Sequence, residues 1–326
     1  AGERGIGKDG FIRQICDQAE GNCIELDCVS GDPAALERQL AEQLEITGRL
    51  DDRDAIEHAM EDRNIRVVAL ANLHMMVRPV VGGFSVDAIK YMLGGAFRRS
   101  FRPLNDAIMQ GRITGVAGIV GCSNPKTQMD LFTTELTREL LKNNVLVLKT
   151  GCAAVASGKA GFLTPEAGIE QAGQGLREVC EAVGIPPVLH VGSCVDNSRL
   201  LTVCAEMVRE GGVGSDFTQL PVAAAAPGWW SEKAIAIGFY AVASGLLTVL
   251  GSPLNILGSD KLTKFVTEDL EELTGGRFAF ESDAAAAAEL MAAHIDGKRE
   301  ALKLRPMMYE PAPASPAPAQ EPVAVA

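Results

Sequence analysis

Residues 115–152 read GVAGIVGCSNPKTQMDLFTTELTRELLKNNVLVLKTGC: an apolar run, Gly-Cys, an amphipathic segment, a second apolar run, and Gly-Cys again. The runs Gly115–Val120 and Val145–Leu148 are solidly apolar rather than alternating, as strands covered on both faces are. Between them Gln128–Lys142 carries helical periodicity. Strand, helix, strand at this spacing is a βαβ unit, which joins parallel strands. The pattern continues outward. Strands are expected at Pro187–Val191, Leu220–Ala225, Leu246–Leu250 and Arg277–Glu281. Helices are expected at Glu170–Val183, Asp196–Glu210, Ser231–Ser244 and Leu262–Leu273, with a closing helix from Ser282 or Asp283 to about Arg299. The fold class is therefore α/β: a Rossmann-like parallel sheet with flanking helices.

Composition separates three regions: a charged N-terminal α/β segment over 1–78 with a Gly-rich start, the α/β region over 79–304, and a disordered Pro/Ala-rich tail over 305–326. With 47% apolar and 22% charged residues in 326, the chain can bury a sizeable core. Thirty basic against 42 acidic residues give a net charge of −12, and no basic stripe is present, so nucleic acid is not an expected partner. No charge-free apolar stretch is long enough to span a bilayer, and no signal peptide is visible; a cytoplasmic protein is expected. The first residue is Ala rather than Met, which suits a fragment or a processed chain. Eight cysteines are too few for a disulfide scaffold at this length, so reduced thiols are expected.

The Gly-Cys corner recurs. Val116–Val120 leads to Gly121-Cys122, Val145–Thr150 to Gly151-Cys152, and Val188–Val191 to Gly192-Ser193-Cys194. Each cysteine stands just past the carboxyl end of a strand, at the start of a loop leading to a helix. In a parallel sheet those ends share the edge where ligands bind, and the glycines permit tight turns and close backbone approach. One such cysteine reads as a small buried residue. Three at the same topological place suit zinc, copper(I) or an iron–sulfur cluster, and the absence of a C-x2-C pair favours a large cluster over a compact zinc site. A fourth corner, Pro227-Gly-Trp-Trp-Ser231-Glu-Lys233, precedes an apolar helix. Lys233 in a first helical turn is misplaced with respect to the helix dipole. It is either a solvated lysine or a cation that stabilises charge on a reacting group. Cys180 and Cys204 lie inside helices and read as packing; His190 falls within a strand and His294 on the closing helix, and neither is a favoured ligand.

These corners resemble the C-terminal part of the anaerobic, nickel-dependent carbon monoxide dehydrogenases. GVAGIVGCSNP (115–125), NVLVLKTGCAA (144–154), PPVLHVGSCVDNSR (186–199) and SEKAIAIGFYAVASG (231–245) carry the resemblance, and GFSVDAIKYMLGGAFRRSFRPLNDAIMQGRI (83–113) extends it upstream. The resemblance implies a nickel–iron–sulfur cluster that interconverts CO and water with carbon dioxide, two protons and two electrons. It implies irons on Cys122 and Cys152, the nickel side on Cys194, and Lys233 hydrogen-bonded to the carboxylate-like intermediate. It also implies an electron acceptor such as ferredoxin, and the family forms homodimers. The family's chain is about twice this length. Its electron-transfer clusters, one histidine and two further cysteines come from an upstream region. Here Cys16, Cys23, Cys28, His58 and His74 precede Gly83, none of them in the family's motif; Cys28, in IELDCVSGDP, could mimic a strand-end cysteine. The missing ligands could also come from a partner subunit.

The N-terminus has a separate resemblance. Gly2-Glu-Arg-Gly-Ile-Gly7-Lys8 fits the phosphate-binding P-loop pattern but continues with Asp9 in place of Ser or Thr. With RVVALAN (66–72) it resembles a degenerate segment of the sigma-54 activator type of AAA+ ATPase. Three functions are thus in view: redox catalysis on CO, possibly by an incomplete chain; a catalytically inactive truncated scaffold or assembly module on the same fold; and a P-loop nucleotide-binding regulatory protein.

Overall fold

The computed structural model describes residues 23–27, 67–71, 81–122, 124, 128–254 and 258–311. Backbone contacts divide the chain into Ala1–Arg78 and Pro79–Ala326. In the first unit, β1 (Cys23–Asp27) pairs in parallel with β2 (Val67–Ala71), from Cys23↔Val67 to Asp27↔Ala71. Gly2–Asp9 lies outside the described residues.

The second unit opens with helices α1 (Val86–Gly94) and α2 (Arg102–Met109) and then alternates strand and helix. β3 (Gly115–Ile119), α3 (Leu131–Lys142), β4 (Val145–Thr150), α4 (Gly151–Lys159), α5 (Pro165–Gln171), α6 (Gln174–Val183), β5 (Val188–Gly192) and α7 (Ser198–Glu210) form one half. β6 (Val222–Ala226), α8 (Glu232–Ala243), β7 (Leu247–Leu250), α9 (Asp260–Lys264), α10 (Leu270–Thr274), β8 (Arg277–Phe280) and α11 (Ala284–Ala301) form the other. All six strands are parallel, in the order β5-β4-β3-β6-β7-β8. The chain winds outward from β3 to β5, returns to β6 beside β3, and winds outward again. This is the doubly wound order, and its reversal point lies between β3 and β6.

The strands match the expected positions because their burial on both faces left an unbroken apolar signal; β4 and β7 are buried along their whole length. Leu136, Leu140 and Leu141 of α3, Leu201 and Met207 of α7, and Ala287, Met291 and Ile295 of α11 supply the covering layers of the core.

The helices show the differences. The single helix expected over 170–183 is two, broken at Ala172-Gly173. A Cβ on Gly173 would lie 2.4 Å from Asn144 Oδ1, and that oxygen accepts the N–H of Leu176 in the first turn of α6 at 3.0 Å. The helix expected over 262–273 is interrupted by a π turn, Phe265–Asp269. Asp283 caps α11, its side chain accepting the N–H of Ala286 at 2.8 Å. Helix α4 was not expected; Cys152 starts a helix rather than a loop.

The tail boundary also moves. Residues 305–311 are held against the body. Arg299 is buried and donates to the carbonyls of Ile108, Ile113 and Thr114 at 2.9–3.1 Å and to that of Arg305 at 2.8 Å, while Tyr309 Oη lies 2.8 Å from the Glu178 carboxylate. Residues 312–326 lie outside the described residues.

Candidate metal-cluster site at the sheet switch point

The carboxyl ends of β3 and β6 meet at the reversal point, where their turns interlock. Gly121 has φ +123°, and a Cβ there would lie 2.0 Å from the carbonyl oxygen of Gly228. That oxygen accepts the N–H of Cys122 at 2.8 Å. Only glycine allows this approach, which brings the Cys122 corner against the Trp229–Lys233 corner. Asn124 Nδ2 adds a bond to the Trp229 carbonyl at 3.2 Å, and the Trp229 indole donates to the Ser252 carbonyl at 2.9 Å.

The thiol of Cys122 is half-buried, with Ser231 Oγ 3.6 Å from its sulfur. Burial acts to raise its pKa. The Ser231 hydroxyl, the backbone N–H groups of Ser231 and Trp230, and the Lys233 ammonium together outweigh burial and hold the thiol below its usual range. Ser231 occupies the N-cap position of α8 without a side-chain capping bond; its hydroxyl faces the cysteine instead. Lys233, in the first turn of α8, is half-exposed, and its nearest carboxylate is Glu232 at 3.9 Å.

Cys152 is exposed in the first turn of α4. Cys194 opens a 3-10 turn, Cys194–Asp196. The Asp196 carboxylate accepts from the N–H and hydroxyl of Ser193 at 2.9 and 3.0 Å, and pairs with Arg199 at 2.9 Å. Arg199 also donates to the Val191 carbonyl at 2.8 Å. The VDNSR residues after the cysteine thus brace its corner. A Cβ on Gly151 would lie 3.1 Å from Cys194 Cβ, so Cys194 abuts the residue preceding Cys152. Thr150 Oγ1 donates to Asn197 Oδ1 at 2.5 Å and fixes the two corners to each other. Both α4 and α8 pack on the Cys194–Asp196 turn.

Cys122 and Cys152 line one cleft of about 330 Å³ at the carboxyl edge, with Pro227, Gly228 and Gly251 on its wall. Asp130 and Glu135, from the start of α3, and Asp283, from the cap of α11, also line it; the sequence did not mark them as site residues because only the fold brings α3 and α11 together. Among the described residues no three His, Cys, Asp or Glu side chains close to the distance of a single-ion site. The donor set is soft cysteine sulfur, spread along an edge with a cleft between two of its members. That arrangement fits a polynuclear group spanning the cleft and does not fit one bare ion. Cys194 and Lys233 stand beside this cleft rather than in its lining.

Cys180 and Cys204 are buried in α6 and α7, and burial pushes both thiols up to about 12. His294 is driven down to about 4 by burial and by Lys298 and Arg277, so it remains a neutral core residue at neutral pH. Among the described residues no helix is long and apolar enough to cross a membrane.

The fold and the corners define a doubly wound α/β protein with cysteines along the carboxyl edge of its sheet, one of them at the switch point. Comparison with known proteins gives this class its family. A family profile described as the Prismane/CO dehydrogenase family matches residues 28–285, and the chain belongs to that family. "Carbon monoxide dehydrogenase 1" of Methanosarcina mazei is 47% identical over 252 residues, covering 77% of this chain and 39% of that protein. The Methanosarcina acetivorans protein of the same name is 50% identical over 223 residues, 68% of this chain and 34% of its own length. The solved structure of carbon monoxide dehydrogenase IV from Carboxydothermus hydrogenoformans matches with a TM-score of 0.66 at 36% identity, over 87% of this chain and 49% of that one. A nickel-free carbon monoxide dehydrogenase from Thermococcus sp. AM4, produced without the CooC maturase, matches with the same TM-score and identity. The chain spans less than half the length of these relatives. The family match begins upstream of the motifs that carry the sequence resemblance. It takes in Cys28 and strand β2, the latter read above as part of an ATPase-like segment, and leaves Gly2–Asp9 outside.

Proposed function

We propose that this chain carries one wall of a nickel–iron–sulfur site that interconverts CO and water with carbon dioxide, two protons and two electrons. Cys122 and Cys152, on the cleft, would hold iron, and Cys194, braced against Gly151, would hold the nickel side. When bound, the cluster supplies an open metal position for CO and accepts the two electrons. The chain's own groups do the rest. The N–H groups of Trp230 and Ser231, the Ser231 hydroxyl and Lys233 shift Cys122 toward the thiolate, the form that binds metal. Lys233 would offer an ammonium to the substrate oxygens and offset charge developing on them. The interlocked Gly121 and Gly228 turns hold these groups in place before substrate arrives.

The observation that carries this reading is the cleft at the switch point, lined by two strand-end cysteines, one of them under the field of Lys233. Electrons leave to an acceptor of the ferredoxin type, and ligands beyond these come from outside the described residues or from a second subunit. Such a protein works in the cytoplasm. The competing reading is an inactive scaffold or assembly module, favoured by the lack of a closed ligand trio among the described residues.

Anaerobic purification of the full chain, with quantification of iron, acid-labile sulfide and nickel and a CO-dependent dye-reduction assay on the same sample, separates the two. Several irons with nickel and CO-dependent reduction are expected. A protein without metal or activity overturns the catalytic reading and leaves the scaffold.

A further inference from the structure

Strand β4 is buried throughout, yet it contains Lys149, whose side chain is fully buried. Its ammonium donates to Thr137 Oγ1 at 2.8 Å, Thr133 Oγ1 at 3.0 Å and the Thr133 carbonyl at 3.3 Å. All three acceptors are neutral. A buried, uncompensated amine is costly, and a Leu or Met would fill the same interior without that cost. Packing therefore does not account for it.

The shell around the amine suits two protonation states. The Thr137 hydroxyl donates to the Thr133 carbonyl at 2.6 Å, so Thr137 is fixed as an acceptor from Lys149. The Thr133 hydroxyl can turn: it accepts from an ammonium and donates to a neutral amine. Thr133 also lines the cleft that holds Cys122 and Cys152. The amine is thus one hydroxyl away from that cleft. Burial pulls its pKa down to about 7, with Asp130 acting in the opposite direction. The other charged or titratable groups nearby are His190, opposite Lys149 on β5; Lys159, which pairs with Asp130 at 2.8 Å; and Glu135 on the cleft wall. The facing residue on β3 is Ile119, which carries no charge.

We propose that Lys149 is the proton-holding group of the cleft, taking up a proton through Thr133 when negative charge gathers at Cys122 and Cys152 and returning it when that charge leaves. The inference rests on the reading that this cleft holds anionic charge. On release, an Nζ proton passes to Thr133 Oγ1 as the Thr133 hydroxyl proton passes to a water in the cleft; on uptake the two transfers reverse. Only N–H and O–H bonds change.

The test needs no cluster. The full chain is labelled with 13C at the lysine ε-carbon, and the Lys149 resonance is assigned by its loss in Lys149→Met, or in Lys149→Arg if the first variant does not fold. Exposed Cys152 is then alkylated with iodoacetate in one sample and iodoacetamide in another, which installs a charged or a neutral group of similar size. A Lys149 midpoint near 7 is expected, higher by about half a pH unit or more with the carboxylate than with the amide. Thr133→Val should slow the exchange of the amine protons with solvent. Equal midpoints in the two alkylated samples, or a midpoint above 10, would overturn the proposal. Neither result depends on whether the protein binds metal or oxidises CO, so failure here is distinct from failure of the catalytic reading.

Discussion

The strand-end cysteines and the helical cysteines of this protein are the same residue in opposite circumstances. Cys180 and Cys204 sit among apolar neighbours on the inner faces of α6 and α7, where burial pushes their thiols to about 12. Cys122 is also partly buried, yet its thiol is held below the usual range because the facing corner presents backbone N–H groups, a hydroxyl and an ammonium. Burial alone makes a cysteine inert. Burial at the carboxyl end of a parallel strand, where the next corner turns its N–H groups inward, instead favours the thiolate.

The sharpest way to break the comparison is to exchange the fates of the two sets. Cys122→Ala in the metal-loaded protein should lower CO-dependent dye reduction by about a thousandfold or more, since groups acting as one unit fail together, and should reduce the iron content. Cys194→Ala should do the same with most of the fold intact. Cys204→Ala should leave metal content and turnover near their starting values. Equal losses from Cys122→Ala and Cys204→Ala would show that the strand-end position confers nothing special.

A second test acts on the corner rather than on the thiol. Gly121→Ala would set a Cβ 2.0 Å from the Gly228 carbonyl oxygen, so backbone must move on one side or the other. A loss of about 4 kcal/mol, or failure to fold, is expected in urea unfolding of the full chain. Gly184 also has positive φ but has nothing within 4 Å of such a Cβ. Gly184→Ala should cost only about 1 kcal/mol, the conformational part alone.

These contrasts follow what could and could not be read from the chain. The strands were legible because both of their faces are covered and their apolar runs are unbroken. The corner cysteines were legible because each follows a glycine at a strand end. Helix α4 was not, since GCAAVASGK has too little size contrast to show a period, although Ala153, Ala154 and Ala156 are buried. The break between α5 and α6 depends on Asn144, distant in sequence. The cleft's carboxylates come from the N-cap position of α3, where Asp130 has φ 62°, from within α3, and from the cap of α11; only the fold assembles them. Ser231 takes the N-cap position of α8, but its hydroxyl faces Cys122, which sequence alone does not show. Lys149 did carry a signal, a cation inside an apolar strand.

That lysine makes the buried groups diverge with pH. An amine whose folded pKa of about 7 lies below its ordinary 10.5 destabilises the fold fully below pH 7, and the penalty disappears as pH rises toward 10.5, because the unfolded chain binds the extra proton in that window. Lys149→Met should therefore stabilise the protein by a few kcal/mol, on the order of 4, at pH 6, and by progressively less as pH rises. A gain independent of pH would mean that the amine is not the source of the penalty.

The buried thiols run the other way, and they set the smallest effect. Cys180→Ala removes one sulfur from the core and should cost about 1 kcal/mol at pH 7, with no change in metal content. The folded thiol titrates at about 12 against an ordinary 9.0. Its stabilising contribution is thus complete below pH 9 and is lost as pH climbs toward 12, while the alanine variant has nothing to lose at this position. Stability curves of the two proteins should converge near pH 10, where one pH unit of differential ionisation, about 1.4 kcal/mol, has offset the packing loss. Parallel curves from pH 7 to 10 would mean that Cys180 ionises in the fold as readily as in the unfolded chain. The strand-end and helical cysteines would then differ in their neighbours but not in their burial.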